Sequence, residues 1–153
     1  IDSSPSLDEE TLAVILASDE IFVVTTSDHP TLSATLKSVK LARQRGIPIS
    51  GLILNKFQNK DFEVSFEDVE SIINLPIMAV IPYDVGFLKA LSNMESYISY
   101  KPNSKASIEY KKLASVLTGE KYKQTRLQDF LRKLTPSRQD INREIFYTRI
   151  FKE

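Results

Sequence analysis

The sequence has no cysteine, one histidine, four glycines and no net charge. Each scarcity removes a class of chemistry. Without cysteine there is no disulfide, no thiolate metal site and no iron–sulfur ligation. A single histidine, His29, excludes a multi-histidine metal centre. Lysine plus arginine and aspartate plus glutamate number 20 each. The whole chain therefore has no bulk attraction for nucleic acid or anionic lipid, and any such attraction must come from a local patch. No apolar run is long enough to span a bilayer, so a cytoplasmic setting is the default expectation. The glycines Gly46, Gly51, Gly86 and Gly119 are too scattered to build a G-x-x-x-x-G-K-[ST] loop.

What is present fits a globular domain. The chain has 153 residues, 42% of them hydrophobic and 26% charged, which suits one domain, or most of one, with a buried core. It opens on Ile1-Asp2-Ser3-Ser4-Pro5, which reads as the last residue of a strand running into a loop. A fragment of a longer protein is the expectation.

Apolar runs alternate with helical patterns. Residues 20–26 (EIFVVTT), 49–55 (ISGLILN) and 77–81 (IMAVI) read as strands buried on both faces. Between them, Pro30 to Arg45 carries Leu32, Leu36 and Val39 at helical spacing and is closed by Gly46. Ser65 to Ile73 is a shorter helix with Glu67 and Asp68 in its first turn. Short and long helices follow over about 85–91 and up to Leu117. This succession predicts an α/β fold: a mostly parallel sheet with helices on both faces. Two units are expected, residues 1–119 and a basic helical tail over 120–153.

In such sheets ligands sit beyond the carboxyl ends of the strands. The residues there are Asp2 to Pro5, Thr25 to Asp28, Asn55-Lys56 and Pro82-Tyr83-Asp84, and all four groups would share one rim. They also carry a resemblance. IDSSPSL looks like the Asp-x-x-Pro segment of the MinD/ParA family, and VVTTSDHPTLSATLKSVKLAR like its next strand and helix. GLILNK resembles the family's Gly-x-Val-x-Asn-Arg/Lys strand, MAVIPYDVGFLKAL its Ile-Pro-x-Asp segment, and SIEYKKLASVLTGE its last core helix. The order and spacing of these pieces agree over residues 1–119. The resemblance is to the C-terminal portion of a deviant Walker A (SIMIBI-class) P-loop ATPase, without its phosphate-binding loop.

The resemblance implies roles. Asp2 would be the catalytic carboxylate and would act on Mg²⁺ through a water. Asn55 would read the adenine edge, because an amide both donates and accepts. Lys56, Pro82, Tyr83, Asp84 and Leu88 would complete the nucleotide site, largely through backbone groups. Plainer readings stand beside these: Asp2 as a strand end or helix cap, Asn55 as a turn residue, and Asp84 as a helix cap. Gln58 stands where a guanine-reading Asn-Lys-x-Asp signature needs aspartate, so guanine specificity is not supported. His29 reads as a solvated loop residue, and Thr25 and Thr26 as strand-finishing residues. Two departures matter. The phosphate loop is missing, so the 153 residues alone are not expected to hydrolyse ATP. Ser6 stands where the family's switch loop carries glycine.

In the tail, Leu127, Phe130, Leu131 and Leu134 recur at helical spacing among Lys121, Lys123, Arg126, Arg132 and Lys133. A second piece sets Ile141, Ile145, Phe146, Ile150 and Phe151 among Arg143, Arg149 and Lys152. Basic amphipathic helices contact membranes, partners or their own domain. The resemblance implies a parent ATPase using ATP and Mg²⁺, a homodimer when ATP-bound, and peripheral attachment at the inner face of the cell membrane or to a protein. Cell-division site placement is one compatible process. Nucleic acid is not an expected partner. The alternative is a non-catalytic interaction module that kept the fold and lost the chemistry.

Overall fold

The computed structural model describes residues 1–3, 9–120, 122 and 136–151. In chain order these form α1 (Glu9–Leu16), β1 (Ile21–Thr25), α2 (His29–Gln44), β2 (Ile49–Phe57), α3 (Phe66–Ile73), β3 (Ile77–Pro82), α4 (Gly86–Ser92), α5 (Tyr97–Tyr100), α6 (Lys105–Leu117) and α7 (Arg138–Phe151). The strands pair in parallel in the order β1-β2-β3. The expected α/β class with a parallel sheet is the observed one. The short helices α1 and α5 were not anticipated.

Local chemistry sets the boundaries. The Asp28 carboxylate accepts the Thr31 N–H at 2.9 Å and caps α2. Leu32, Thr35, Val39 and Ala42 then fall on one buried stripe. Gly46 follows the helix with φ of 72°, where a side chain would be strained. Ser65 caps α3 by accepting the Asp68 N–H at 3.1 Å. Glu67 and Asp68 complement its dipole. It ends on Asn74 in the left-handed region, which asparagine tolerates.

Strand alternation divides the core between two faces. Leu52 and Leu54 meet Leu32, Val39, Val69 and Ile73 from α2 and α3. Ile53, Ala79 and Ile81 face the other way, towards Ala90, Tyr97, Ala106, Leu113 and Phe146. Register agrees, since Ile53 pairs with Ala79 and Leu54 with Val80.

The outer edge of β3 is covered by α7. Asn142 Nδ2 donates to the Ile77 carbonyl at 2.8 Å, and Arg143 donates to the Met78 carbonyl at 2.8 Å. The Ile77 N–H donates to Glu70 Oε1 at 2.9 Å. These side chains supply the partners that a neighbouring strand would otherwise give. Arg143 also meets Glu109 at 2.9 Å and Asp140 at 2.5 Å, and Lys112 lies within 3.4 Å of both carboxylates. Phe146 packs edge-on against Phe22 of β1, with ring centroids 5.5 Å apart.

Two expectations need correction. Residues 1–3 carry no strand, and Ile1 is exposed; a strand needs a neighbour to bond, and no pairing among the described residues involves them. β2 continues past Asn55 to Phe57 through an irregularity between Leu54 and Phe57, so Asn55 and Lys56 lie in that irregularity rather than beyond the strand. Arg143, grouped with the basic residues of the second tail piece, is only 4% exposed and donates to the edge of β3, so of the readings open for that piece it is packing on its own domain that Arg143 serves. Residues 138–151 therefore share the core of the sheet domain. The stripe of Leu127, Phe130, Leu131 and Leu134, and Ser6, lie outside the described residues.

Candidate functional site

The carboxyl ends of β1, β2 and β3 are tied to one another by hydrogen bonds. The Tyr83 N–H, just past β3, donates to the Phe57 carbonyl at 2.8 Å. This joins the Pro82-Tyr83-Asp84 turn to the end of β2. Glu63 joins the end of β2 to the end of β1. Its carboxylate accepts the Ser27 hydroxyl at 2.6 Å, the Gln58 N–H at 3.1 Å and the Lys60 N–H at 3.0 Å. The Val64 N–H adds a bond to the Ser27 carbonyl at 2.8 Å. Behind this rim, Thr25 and Thr35 share a buried hydroxyl bond of 2.8 Å that sets α2 against β1.

At Asn55 the backbone leaves the regular ladder. Lys56 has φ of 55° and Asn59 φ of 59°, a conformation uncommon outside glycine. The Lys56 N–H donates to Asn55 Oδ1 at 2.9 Å. That bond leaves the Asn55 amide nitrogen and a second lone pair on the oxygen for a ligand. Asn55 is half-buried, whereas Lys56 is exposed.

The turn after β3 is organised around Asp84. Its carboxylate accepts the Tyr97 hydroxyl at 2.7 Å, the Gly86 N–H at 2.6 Å and the Lys101 ammonium at 3.1 Å. The Tyr97 bond first, then the Gly86 amide and Lys101, holds the Asp84 carboxyl down at about 2. Asp84 therefore braces α4 and α5 one residue ahead of the cap position, Val85. With its carboxylate occupied, Asp84 can line a site only through its backbone. The side chains of Tyr83, Val85 and Leu88 are all more than half exposed beside this turn.

The structure thus brings Asn55, Lys56, Pro82, Tyr83 and Asp84 to one rim, with Leu88 on the helix that follows. Asp2 is exposed and lies outside the three strands. No group of three or more potential metal ligands occurs among the described residues. A cleft of about 280 Å³ lies elsewhere, at the outer edge of β3 between α6 and α7, and shares only Pro82 with the expected site. Sequence reasoning placed Ser27 at the rim but missed Glu63 and Tyr97. Their partners are distant in the chain, and no local pattern announces them.

A family model described as an AAA domain matches residues 7–88. The chain belongs to that family. Within it the chain is of MinD/ParA type, the P-loop ATPase kind that its motifs resemble. It is 29% identical over 122 residues to an uncharacterised ATP-binding protein of Methanocaldococcus jannaschii, covering 80% of this chain and 46% of that protein. It is similar in structure to the cell division ATPase MinD of Pyrococcus furiosus, at 27% identity and a TM-score of 0.65, over 72% of this chain and 46% of the other. It is equally similar to the septum site-determining protein MinD of Pyrococcus horikoshii, solved in complex with Mg-ADP, at 26% identity and a TM-score of 0.66, over 73% and 46%. The chain spans about half the length of the curated relatives it matches. No helix among the described residues is long and apolar enough to cross a membrane.

Proposed function

We propose that this MinD/ParA-type region supplies the base-reading side of an ATP-dependent regulatory switch. The observation that supports it is the bond between the Tyr83 N–H and the Phe57 carbonyl. It sets the Asn55 bulge and the Tyr83 turn side by side, with an amide on one and an exposed aromatic ring on the other. That combination suits an adenine, which needs a donor and an acceptor at its edge and an apolar surface at its face.

The residues present fit the base better than the phosphates. The 153 residues contain no glycine-rich cradle of backbone N–H groups and no loop lysine for developing charge. Asp2 would give Mg²⁺ one carboxylate, and Mg²⁺ is commonly held by one or two carboxylates together with substrate phosphates. When bound, the metal ion neutralises phosphate charge. In the parent protein, ATP binding would promote a homodimer and attachment to a membrane or protein partner, and hydrolysis would reverse both.

The test is a titration of the ¹⁵N-labelled chain with adenosine, ATP and guanosine. Adenosine and ATP should shift the amides of Asn55, Lys56, Tyr83 and Leu88 with similar affinity, because the phosphates find no cradle here. Guanosine should shift them less. Silence at these amides with every nucleoside would sink the reading and leave a non-catalytic interaction module. Attachment needs its own assay, liposome co-sedimentation. Deleting 121–153 would strip Arg143 and Phe146 from the core. The informative variant instead replaces Leu127, Phe130, Leu131 and Leu134 with serine, and unchanged sedimentation would remove that stripe from the account.

A further inference from the structure

We infer that Glu63 is the positioning residue of the base-reading turn, clamping the Phe57–Gln58 peptide so that the Asn55 bulge and the Tyr83 turn keep one spacing. The inference rests on the reading of this rim as a nucleotide site and goes beyond it, because Glu63 belongs to none of the family-like motifs.

The geometry is that of a clamp. One peptide unit is held from both sides: the Phe57 carbonyl accepts from Tyr83 at 2.8 Å, and the Gln58 N–H donates to both Glu63 oxygens at 3.1 Å. The same carboxylate holds Lys60 N–H at 3.0 Å and the Ser27 hydroxyl at 2.6 Å, and Ser27 is itself buried. Two chain segments, the end of β1 and the loop after β2, thus converge on one side chain, and the Tyr83 turn joins them through the Phe57 carbonyl. The next residue, Val64, is in the core and anchors the clamp to the domain.

A clamp is needed because the turn is strained. Lys56 and Asn59, either side of the held peptide, both sit at positive φ; asparagine tolerates this, but a lysine adopts it only where its surroundings impose it. Released, the segment would relax, and Asn55 would lose the fixed bearing that a base-reading amide requires. A carboxylate suits the task better than an amide. It offers acceptor sites on both oxygens to three donors, whereas glutamine would turn an NH₂ towards one of them. Burial alone would raise the Glu63 carboxyl, but the bonds from Ser27 and the loop amides outweigh it and hold it below its usual range.

The experiment compares the full chain with Glu63→Gln, Glu63→Ala and Ser27→Ala. Three readouts are taken: ATP affinity, the ratio of adenosine to guanosine affinity, and the backbone couplings and carbon shifts that report positive φ at Lys56 and Asn59. Far-ultraviolet circular dichroism verifies folding, and the milder Ser27→Ala variant covers the case in which Glu63→Ala unfolds. The clamp predicts that Glu63→Gln weakens ATP binding by about tenfold, as loss of one well-placed hydrogen bond does. It also predicts a narrowed base preference and loss of the positive-φ signature, with Ser27→Ala intermediate. Weakened binding with base preference and φ signature intact would make Glu63 merely structural and overturn the inference. So would wild-type affinity in Glu63→Gln. Failure of the wild-type chain to bind any nucleoside at the rim is a different result, and it removes the nucleotide reading together with the role built on it.

Discussion

The guanidinium of Arg143, on the last helix, donates to the carbonyl of Met78, on the edge strand, at 2.8 Å. The two residues lie 65 positions apart. Arg143 is 4% exposed and is compensated by Glu109 and Asp140. Removing the buried guanidinium leaves the Met78 carbonyl without this donor, and Glu109 and Asp140 with only Lys112 of the cations placed around them. Arg143→Ala should therefore destabilise the domain by about 3–5 kcal/mol, read as a lowered urea midpoint. Arg143→Met, which fills the same volume, should cost less only if Glu109 and Asp140 are neutralised with it.

A second prediction concerns a close approach between β2 and β3. A Cβ added at Gly51 would lie 2.3 Å from Met78 Cγ and 2.9 Å from the Pro76 carbonyl oxygen. The methionine can swing away, but the backbone oxygen cannot. Gly51→Ala should lose about 1–3 kcal/mol to overpacking, visible as a fall in thermal midpoint, whereas Gly46→Ala meets no atom and strains only its turn.

These two residues mark what the sequence made legible. The strand holding Gly51 could be read, because a run of buried aliphatic residues announces itself without reference to the rest of the chain. That Gly51 faces Met78 could not, since strand register is a tertiary fact. Arg143 was harder still. Helical periodicity grouped it with the basic residues and Ile141 and Ile145 with the apolar ones, yet those isoleucines are 48% and 63% exposed. The bare edge of β3 reverses the usual preference, because unsatisfied carbonyls call for donors rather than methyl groups. At the rim, the neighbourhood of Asn55 and Tyr83 could be read from their place at the ends of apolar runs. Glu63 could not, because its partner Ser27 lies 36 residues away.

Acid should loosen the fold at two identified points. Asp84 is held at about 2 by the Tyr97 hydroxyl, the Gly86 amide and Lys101. Asp140 is also held at about 2: burial pushes it up, but the Ser137 hydroxyl, Arg143 and Lys112 outweigh that. Both values lie below the ordinary 3.8. The unfolded chain therefore binds protons first as pH falls. The stabilisation from each carboxylate is full above about pH 4 and drains away towards about pH 2. Urea midpoints should be flat at mildly acidic pH and then drop across this window. Asp84→Asn and Asp140→Asn should each start lower and drop less, and an unchanged slope in both variants would remove these groups as the cause.

The sharpest test of base reading separates the two duties of the Asn55 side chain. Its oxygen pins the bulge by accepting the Lys56 N–H at 2.9 Å, and its NH₂ group is the donor offered to a base. Asn55→Ala abolishes both. It should cost about 0.5–1.5 kcal/mol of stability as well as most adenosine binding. Asn55→Asp keeps an acceptor for Lys56 and so keeps the bulge, but it replaces the donor with a second acceptor. Its stability should stay near wild type while adenosine affinity falls by about tenfold, since an unmatched polar group at a recognition edge is penalised more heavily than a missing apolar contact. If Asn55→Asp binds adenosine as well as the parent chain does, the amide is a turn residue and the base is read elsewhere.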